Sequence, residues 1–471
     1  MYKLNVEVML MRVVSFKANG LAQLSYLISS AGEACVIDPQ RDIDQYLREA
    51  ASQNVSIRCV IETHRNEDFI SGGAALGEDL DIPVYHGINA DAKIEYAQSV
   101  QTNDTISVGD LLITILETPG HTKDSICAHV SDTSVSQEPV VVFTGDTLFV
   151  NEVGRTDFYP DEKEQVAGML FDSLQALSDL PDTTIVYPAH GAGSVCGSGM
   201  AAREFTTLGY EKRHNPAWQI KDKDAFIEKK LNETHYYAPY FEQMEKFNSV
   251  GQSKRIAPIA MPRLPQSEIA ALPEQIQQNE VQLLDIRTVD AFCAGHRAGS
   301  IFLPNGLISA YGGWFLQYDK PVIIVCDSPS QTDDAALQLQ RMGYSWLPGY
   351  ITEIPVATGN SRVDDHVDSI PRVSAQMVAE RLDDPPENWL ILDVRKHEEV
   401  DEKKLPHSKH LYLGHLFSKY SDLNSNVRYT CFCGSGMRAT IAASYLKNRG
   451  FSNVDVFQGS LAAWERLHAS S

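Results

Sequence analysis

Four residues of the types that bind metal ions each follow an apolar run in the first half of the chain: His64, His121, Asp146 and His190. Three of the four have a glycine as an immediate neighbour. In α/β architectures the ends of strands, and the loops after them, are where a site gathers. A single histidine in such a place is usually a structural, hydrogen-bonded residue. Four candidates at four strand ends instead indicate a metal site.

A second candidate for chemistry is Cys433, in the segment CFCGSGMRAT. An apolar run ends at this cysteine, a glycine-containing loop follows, and RATIAASYLKNRG has the pattern of a helix. Backbone N–H groups of such a loop and of the helix N-terminus converge and favour an anion, and the anionic thiolate is the nucleophilic form of cysteine. Arg438 adds positive charge that suits an oxyanion. A buried structural cysteine is the more frequent role, but this context favours a reactive one.

The elements around Cys433 occur twice in the chain. VQLLDIRTVDAF is echoed by WLILDVRKHEEV, which places Asp285 against Asp393, and VIIVCDSPSQ is echoed by YTCFCGSGMR, which places Cys326 against Cys433. Each copy alternates strand-like and helix-like segments. The repeat therefore predicts two small α/β domains with largely parallel sheets.

The first copy has lost the features that activate its cysteine. Asp327 places negative charge beside Cys326 and should raise the pKa of the thiol. Pro329 removes a donor N–H, and Gln331 stands where the second copy has an arginine. We interpret this copy as a catalytically silent spacer or docking domain, with a weak activity at Cys326 as the alternative.

Length and composition bound the whole chain. A chain of 471 residues is too long for one core and suggests about three domains, which we assign to residues 1–258, 262–358 and 365–471. A net charge of -22 argues against nucleic acid or an anionic membrane surface as partner. No apolar run is long enough to span a bilayer, and the N-terminus lacks the apolar core of a signal peptide. Eight cysteines without close paired spacing indicate cytoplasmic thiols.

The last domain resembles the rhodanese family of sulfurtransferases over nearly all of residues 365–471. The resemblance rests on Asp393–Arg395, the loop Cys433–Arg438 and the segment GFSNVDVFQGSLAAW. It implies that Cys433 carries a sulfane sulfur as a persulfide. It also implies that Arg438 and the loop amides hold the substrate; the loop residues are Gly434, Ser435, Gly436 and Met437. The middle domain resembles a degenerate member of the same family.

The series of strand-end residues, with AGEACVIDPQRD before it, resembles the metallo-β-lactamase fold in its glyoxalase II-like branch, over residues 11–250. The resemblance implies an αββα sandwich. Hydrolases of that branch bind two metals through a His-x-His-x-Asp-His motif, and here the second and fourth positions hold Asn66 and Phe69. Asparagine is a poor replacement for imidazole and phenylalanine cannot ligate, so a dinuclear zinc hydrolase is disfavoured.

Two imidazoles and one carboxylate remain, from His64, His121 and Asp146. This is the ligand set of a mononuclear non-haem Fe(II) oxygenase, with further positions left open. It is also the set of the persulfide dioxygenases that share this fold, which implies one Fe(II) per chain. Asp68 and His190 are then expected to orient ligands or bound water. For His190, a retained fold residue without catalytic duty is an equal alternative.

The implied function is oxidation of a low-molecular-weight thiol persulfide by O2 to sulfite and thiol, joined to exchange of sulfane sulfur with sulfite and thiosulfate at Cys433. The segment GDTLFVNEVGRTDF resembles one in which Arg155 approaches the thiol carrier, and Cys196 is taken as structural. The resemblance to persulfide dioxygenases fused to rhodanese domains implies a homo-oligomer, either a dimer or a tetramer. The carrier and the direction of transfer stay open. The alternatives are a zinc thiolester hydrolase of the glyoxalase II type and a non-enzymatic sulfur-relay protein.

Overall fold

The computed structural model describes residues 11–18, 20–193, 199–256, 260–352 and 366–469. Cys196 lies outside these ranges. The chain forms two compact units, one of residues 1–257 with 340–343 and the other of residues 258–339 with 344–471. Each unit is described separately.

Two six-stranded sheets form the first unit. The first sheet has its strands in sequence order, antiparallel among the first three and parallel thereafter: Arg12–Lys17 (β1), Leu24–Ser30 (β2), Glu33–Ile37 (β3), Ser56–Glu62 (β4), Val84–Gly87 (β5) and Gln98–Val100 (β6). The second sheet also follows sequence order: Thr105–Val108 (β7), Leu111–Glu117 (β8), Ile126–Asp132 (β9), Pro139–Gly145 (β10), Ile185–Pro188 (β11) and Thr206–Thr207 (β12). Among its described strands, β10 and β11 are the one parallel pair. The described residues of this unit also form six α-helices: Asp44–Gln53 (α1), Gly73–Leu80 (α2), Lys163–Leu177 (α3), Leu208–His214 (α4), Lys223–Asn232 (α5) and Phe241–Val250 (α6).

Alternation along the strands explains how these layers stack. In β2, Tyr26 and Ile28 belong to a core shared with β8, β9 and β10, whereas Leu27, between them, packs with α1 and α2. Successive side chains of a strand point to opposite faces, so a fully buried strand such as β2 must be covered on both. A third core joins the outer face of the second sheet to α3 and α5. The result is an αββα sandwich.

The second unit contains two parallel sheets, one for each copy of the repeat. The first sheet has the order β15-β13-β16-β17 and the second the order β19-β23-β22-β20-β21. The strands are Gln282–Asp285 (β13), His296–Arg297 (β14), Ser300–Phe302 (β15), Val322–Val325 (β16), Tyr350–Ile351 (β17), Val367–Asp368 (β18), Arg372–Val373 (β19), Trp389–Asp393 (β20), Ser408–His410 (β21), Arg428–Phe432 (β22) and Val454–Phe457 (β23). The α-helices are Gln266–Gln277 (α7), Val289–Ala294 (α8), Ile308–Phe315 (α9), Thr332–Arg341 (α10), Ala375–Asp383 (α11), His397–Glu402 (α12), Leu416–Lys419 (α13), Met437–Asn448 (α14) and Ser460–Ala469 (α15).

The two copies contact each other through several elements. Strands β14 and β18 pair in antiparallel fashion, one from each side of the connecting segment. On α14, the Ser444 hydroxyl accepts a hydrogen bond from the Phe302 N–H, and the Asn448 amide donates to the carbonyls of Gly299 and Ser300. The helix that follows the Cys433 loop is therefore held by the first copy as well as by its own sheet.

This architecture confirms the predicted fold class: an αββα sandwich followed by two α/β domains with parallel sheets. The domain limits 1–258, 262–358 and 365–471 stay a prediction, since parts of both connecting segments lie outside the described residues. Seven cysteines lie in the described ranges, and all seven are free and buried. Among the helices that the structure describes, none has the length and apolar character needed to cross a bilayer. The cytoplasmic location stays a prediction.

Candidate active sites

The four strand-end residues of the first unit meet at one edge of the sandwich. His64 lies two residues beyond β4, His121 follows β8, Asp146 follows β10 directly and His190 follows β11. All four side chains are buried, with at most 1% of each residue exposed. Because β4 belongs to one sheet and β8, β10 and β11 to the other, the site forms where the two sheets come together at their strand ends.

Asp146 is at the centre of this cluster. Its Oδ2 lies 3.8 Å from His64 Nε2 and 3.5 Å from His121 Nε2, and its Oδ1 lies 2.7 Å from His190 Nδ1. His190 Nε2 is in turn 3.3 Å from Asp68 Oδ2. Burial acts to raise the pKa of Asp146, but His190 and His64 outweigh it and hold that pKa below its usual range. The structure thus brings together all five residues predicted for this site.

Gly145 allows the sharp turn that delivers Asp146. Its φ of +52° lies in the left-handed region, and a Cβ at this position would come within 2.5 Å of Thr63 Oγ1. Any other residue would meet both the strain and the clash. This glycine therefore lets the end of β10 approach the end of β4 closely enough for Asp146 to reach His64.

Hydrogen bonds at the far side of each ring determine which nitrogen faces the cluster. His121 Nδ1 lies 3.0 Å from the carbonyl oxygen of Arg155, which can only accept, so Nδ1 carries the proton. His64 Nδ1 lies 2.9 Å from Thr63 Oγ1, and the Thr63 hydroxyl donates to Asp38, so Nδ1 of His64 is also the donor. Each Nε2 then faces the cluster, and imidazole binds a metal through such a nitrogen in its neutral form. Burial acts to lower the pKa of His121, but Glu67 and Asp146 outweigh it and raise that pKa.

The cluster fits a metal ion. Neither His64 Nε2 nor His121 Nε2 has a hydrogen-bond partner among the described residues. Burial lowers the pKa of His64 to about 4, so its ring is neutral near neutral pH. Both Nε2 atoms lie 3.5–3.8 Å from one carboxylate oxygen of Asp146, and a bound cation would be a partner for all three atoms.

Asn66 and Phe69 occupy the two altered motif positions without facing this point as ligands. The Asn66 side chain donates to the His64 carbonyl at 3.4 Å, and the backbone carbonyl of Asn66 accepts from the Asn248 side chain at 2.7 Å. Phe69 is 1% exposed, with its ring centre 6.4 Å from that of His190. An apolar ring thus fills space beside His190 where the full motif would place an imidazole.

Glu67 is a member of the cluster that sequence reasoning missed. Ligand atoms of His64, Glu67 and His121 all lie within 4.8 Å of one another, and Glu67 Oε2 is 3.6 Å from His121 Nε2. In the sequence, Glu67 could have been recognised as a carboxylate in the same short segment as His64 and Asp68. The His-x-His-x-Asp-His motif does not point to it, because Glu67 occupies one of the variable positions.

A cavity of about 330 Å³ opens beside Glu67. Aromatic rings line part of it, including Phe158, whose ring centre lies 5.2 Å from that of His121. Two cations, Arg65 and Lys123, line it as well, and each is paired with acidic neighbours: Arg65 with Asp91 and Glu245, and Lys123 with Asp91 and Glu162. The cavity is large enough for a small thiol compound and adjoins the metal-type cluster.

Arg155 lies behind the cluster. It is 1% exposed, its guanidinium donates two hydrogen bonds of 2.7 Å to Asp157, and it is absent from the residues lining the cavity. Its carbonyl fixes His121, as described above. Contact of Arg155 with a thiol carrier stays a prediction, and the structure instead places its side chain in a buried ion pair.

The second site lies at the end of β22. Cys433 is 1% exposed, and the N–H of Gly436 donates to its Sγ at 3.1 Å. Gly436 has a φ of +107°, in the left-handed region, so the loop can turn its amide back toward the sulfur. The Cys433 N–H donates to the Ser460 hydroxyl at 3.1 Å. One backbone amide of the predicted loop of residues 434–437 thus donates to the thiol sulfur.

Arg438 does not face this loop as an unpaired charge. Its guanidinium donates to both oxygens of Glu399, at 2.6 and 2.7 Å. Burial raises the pKa of Tyr311, from the first copy, and the nearby charge of Arg438 opposes that rise. Burial acts to raise the pKa of Glu399, but Arg438 outweighs that effect and keeps the pKa low. Neither Glu399 nor Tyr311 was identified from the sequence, because both depend on contacts between distant elements.

The equivalent cysteine of the first copy has different surroundings. The Cys326 thiol points to the Ile351 carbonyl at 3.9 Å. Burial, and then the charges of Asp327 and Asp285, raise the pKa of Cys326 to about 11, which confirms the predicted direction. The side-chain oxygen of Gln331 accepts from the N–H groups of Asp327 and Ser328, at 3.0 and 3.2 Å. These two N–H groups of the loop are therefore already bonded to a side chain of the same domain.

Comparison with known proteins agrees with this architecture. The rhodanese-like domain family matches residues 268–351 and 374–467, and the metallo-beta-lactamase superfamily matches residues 18–190. The crystal structure of a metallo-beta-lactamase from Staphylococcus aureus subsp. aureus COL is 32% identical, with a TM-score of 0.65, and the similarity covers 72% of this chain and 98% of that one.

Individual relatives differ in the part that they share. A hydroxyacylglutathione hydrolase from Hahella chejuensis is 34% identical over 162 residues, so the match covers 34% of this chain and 58% of that protein, less than two thirds of its length. The crystal structure of ETHE1 from Myxococcus xanthus is 30% identical and covers 51% of this chain and 98% of that one. Its TM-score of 0.44 is too low for that similarity to support a conclusion.

Proposed function

Since the chain belongs to the metallo-β-lactamase superfamily and carries two rhodanese-like domains after that domain, we propose that it is an Fe(II)-dependent persulfide dioxygenase fused to a sulfurtransferase. The overall oxidation is R–S–SH + O2 + H2O → R–SH + SO3²⁻ + 2 H⁺. The observation that carries the proposal is the convergence of two imidazole nitrogens and one carboxylate, in a motif that has lost two other ligands.

His64, His121 and Asp146 would hold one Fe(II). Two histidines and one carboxylate suit Fe(II) and leave positions open, and the bound ion supplies redox chemistry with O2 together with an attachment point for the terminal sulfur of the substrate. A pair of zinc ions needs ligands that Asn66 and Phe69 cannot provide.

The other residues of the site keep these ligands in place. Thr63 and Asp38 orient His64, the Arg155 carbonyl orients His121, and His190 holds the carboxylate of Asp146. Such supporting contacts commonly affect metal affinity by about 10–100-fold. The cavity beside Glu67 would receive the thiol carrier, and its aromatic walls would limit the access of water.

Cys433 would carry out the sulfur transfer. Its thiolate attacks the sulfane sulfur of thiosulfate, a new S–S bond forms, and the bond to the sulfite group breaks with its electron pair, so that sulfite leaves. A thiolate R–S⁻ then takes the sulfur from the Cys433 persulfide and yields R–S–S⁻. The reverse sequence makes thiosulfate from a persulfide and sulfite. The Gly436 N–H stabilises the anionic sulfur in both directions.

The first test is metal analysis combined with oxygen consumption on glutathione persulfide. We expect one iron per chain and oxygen uptake matched by sulfite and thiosulfate. Two zinc ions per chain, with no oxygen uptake, would contradict the proposal.

A thiolester hydrolase is the second candidate, favoured by the name of the Hahella chejuensis relative. It predicts release of free thiol from an acylglutathione under anaerobic conditions. The two candidates are separated by assaying both substrates with and without oxygen. A chain inactive in both assays that still passes sulfur from Cys433 to an acceptor would fit the relay alternative.

A further inference from the structure

We propose that Glu67 is a fourth protein ligand of the metal, beside His64, His121 and Asp146. This inference rests on the proposed metal site, but it does not depend on which reaction the site performs. It changes the ligand set from two histidines and one carboxylate to two histidines and two carboxylates.

Distances support this assignment. Glu67 Oε2 lies 3.6 Å from His121 Nε2, which is close to the 3.5 Å between Asp146 Oδ2 and the same nitrogen. Adjacent ligands on one ion, each at about 2.0–2.2 Å from it, lie roughly 3 to 3.5 Å apart, so both carboxylates are near the separation that a shared metal requires. With respect to His121, Glu67 is as well placed as Asp146.

The group that Glu67 forms with the two imidazoles supports it as well. Ligand atoms of His64, Glu67 and His121 all lie within 4.8 Å of one another. A cation bound by both Glu67 and His121 would lie between two atoms that are 3.6 Å apart.

Burial of Glu67 agrees with a ligand role. The residue is only 8% exposed, although it lies next to an open cavity. A carboxylate at this depth, beside His64 and His121, lies within reach of a metal bound by the two imidazoles. Because Glu67 lines the cavity, its carboxylate lies on the side from which a substrate would approach.

A fourth protein ligand would affect metals differently. A tetrahedral zinc ion with four protein ligands has no position left for the water that a hydrolase needs, which is the arrangement of structural zinc sites. A six-coordinate ion keeps two positions, enough for one substrate sulfur and O2. Glu67 would therefore favour the oxygenase chemistry over hydrolysis at the same site.

The test compares Glu67→Gln with Glu245→Gln, which removes a carboxylate from the wall of the same cavity at a partly exposed position. Fe(II), Zn(II) and Co(II) affinities are measured by competition with a chelator, and the Co(II) absorption spectrum reports the coordination. We expect Glu67→Gln to weaken binding by at least about tenfold and to change the Co(II) spectrum, with Glu245→Gln like the wild type. Circular dichroism of the metal-free proteins controls for folding, and Glu67→Asp serves as a second variant if Glu67→Gln fails to fold.

Wild-type affinity and an unchanged Co(II) spectrum in a folded Glu67 variant would overturn the inference, even if its activity falls, because that pattern belongs to a residue that acts without ligation. The two proposals can fail separately. If the wild type oxidises persulfide with iron and the Glu67 variant binds metal normally, only the ligand assignment fails. If the wild type binds no iron but Glu67→Gln weakens zinc binding, the ligand assignment stands and the dioxygenase proposal fails.

Discussion

The two rhodanese-like domains share a parallel strand arrangement and have a cysteine at the same place, but the two sulfur atoms have opposite kinds of hydrogen-bond partner. In the second domain an amide of the loop, from Gly436, donates to Cys433. In the first domain Cys326 instead points to a carbonyl acceptor, that of Ile351. A thiolate or persulfide needs donors, and a protonated thiol needs an acceptor. The strand arrangement delivers a cysteine in both domains, and the surrounding residues determine which hydrogen bonds its sulfur makes.

Gln331 explains how the first loop lost its anion site. Its side-chain oxygen accepts from the N–H groups of Asp327 and Ser328, so a neutral amide occupies donors of the kind that hold an anion elsewhere. Arg438 at the matching position of the second domain donates to Glu399 instead. The difference between the domains therefore lies in which loop donors remain available.

The largest expected difference concerns sulfur loading. After incubation with thiosulfate, mass spectrometry of peptides should show a gain of one sulfur atom on Cys433 and none on Cys326. Cys433→Ser should reduce thiosulfate sulfurtransferase activity to background, because it removes the nucleophile. Cys326→Ser should leave the activity unchanged. Loading of Cys326, or activity that survives in Cys433→Ser, would show that both domains are active.

A second difference concerns pH. Burial and Asp327 raise the pKa of Cys326 to about 11, so its thiol stays protonated at neutral pH and ionises only as the pH approaches that value. In Cys433→Ser, alkylation of Cys326 should be slow and should rise about tenfold per pH unit between pH 7 and 9. Asp327→Asn should make it faster. A rate that levels off near pH 8 would rule out the raised pKa.

A third test asks whether the first domain supports the second. Tyr311→Phe removes the hydroxyl that lies near the charge of Arg438, and we expect up to about a tenfold loss in kcat/KM for thiosulfate, the size of one polar contact with a charged group. Tyr318→Phe, at a tyrosine stacked on Tyr344, is the matched control. Equal activities of the two variants would mean that the first domain is only a spacer for this reaction.

The smallest effect is expected at Gln331. Gln331→Ala leaves the amides of Asp327 and Ser328 without their side-chain acceptor, and unfolding of the protein in denaturant should show a loss of about 0.5–2 kcal/mol. Sulfur loading of Cys326 should stay absent, because burial and Asp327 still raise the pKa of the thiol and keep it protonated. Gain of loading would show that Gln331 alone silences the loop.

The sequence predicts most of the fold and the central residues of both sites. Strand alternation and the repeat indicate the layers, and four ligand-type residues at strand ends indicate the cluster around Asp146. Glu67 and Glu399 could not be predicted, because neither belongs to a motif with a recognisable spacing. Glu67 approaches His121, and Glu399 approaches Arg438, only in the folded structure. The ion pair of Arg155 with Asp157 is likewise invisible to pattern, since an arginine near a site can be buried or can face a ligand.

We propose that the metallo-β-lactamase domain oxidises persulfide to sulfite and that Cys433 then uses this sulfite in sulfur transfer. The most direct measurement is oxygen uptake by Cys433→Ser on glutathione persulfide, with sulfite and thiosulfate quantified together. We expect Cys433→Ser to have the iron content and oxygen uptake of the wild type, with sulfite as the product in place of thiosulfate. Oxygen uptake that disappears in this variant, or a wild type that consumes no oxygen while it hydrolyses thiolesters, would contradict it.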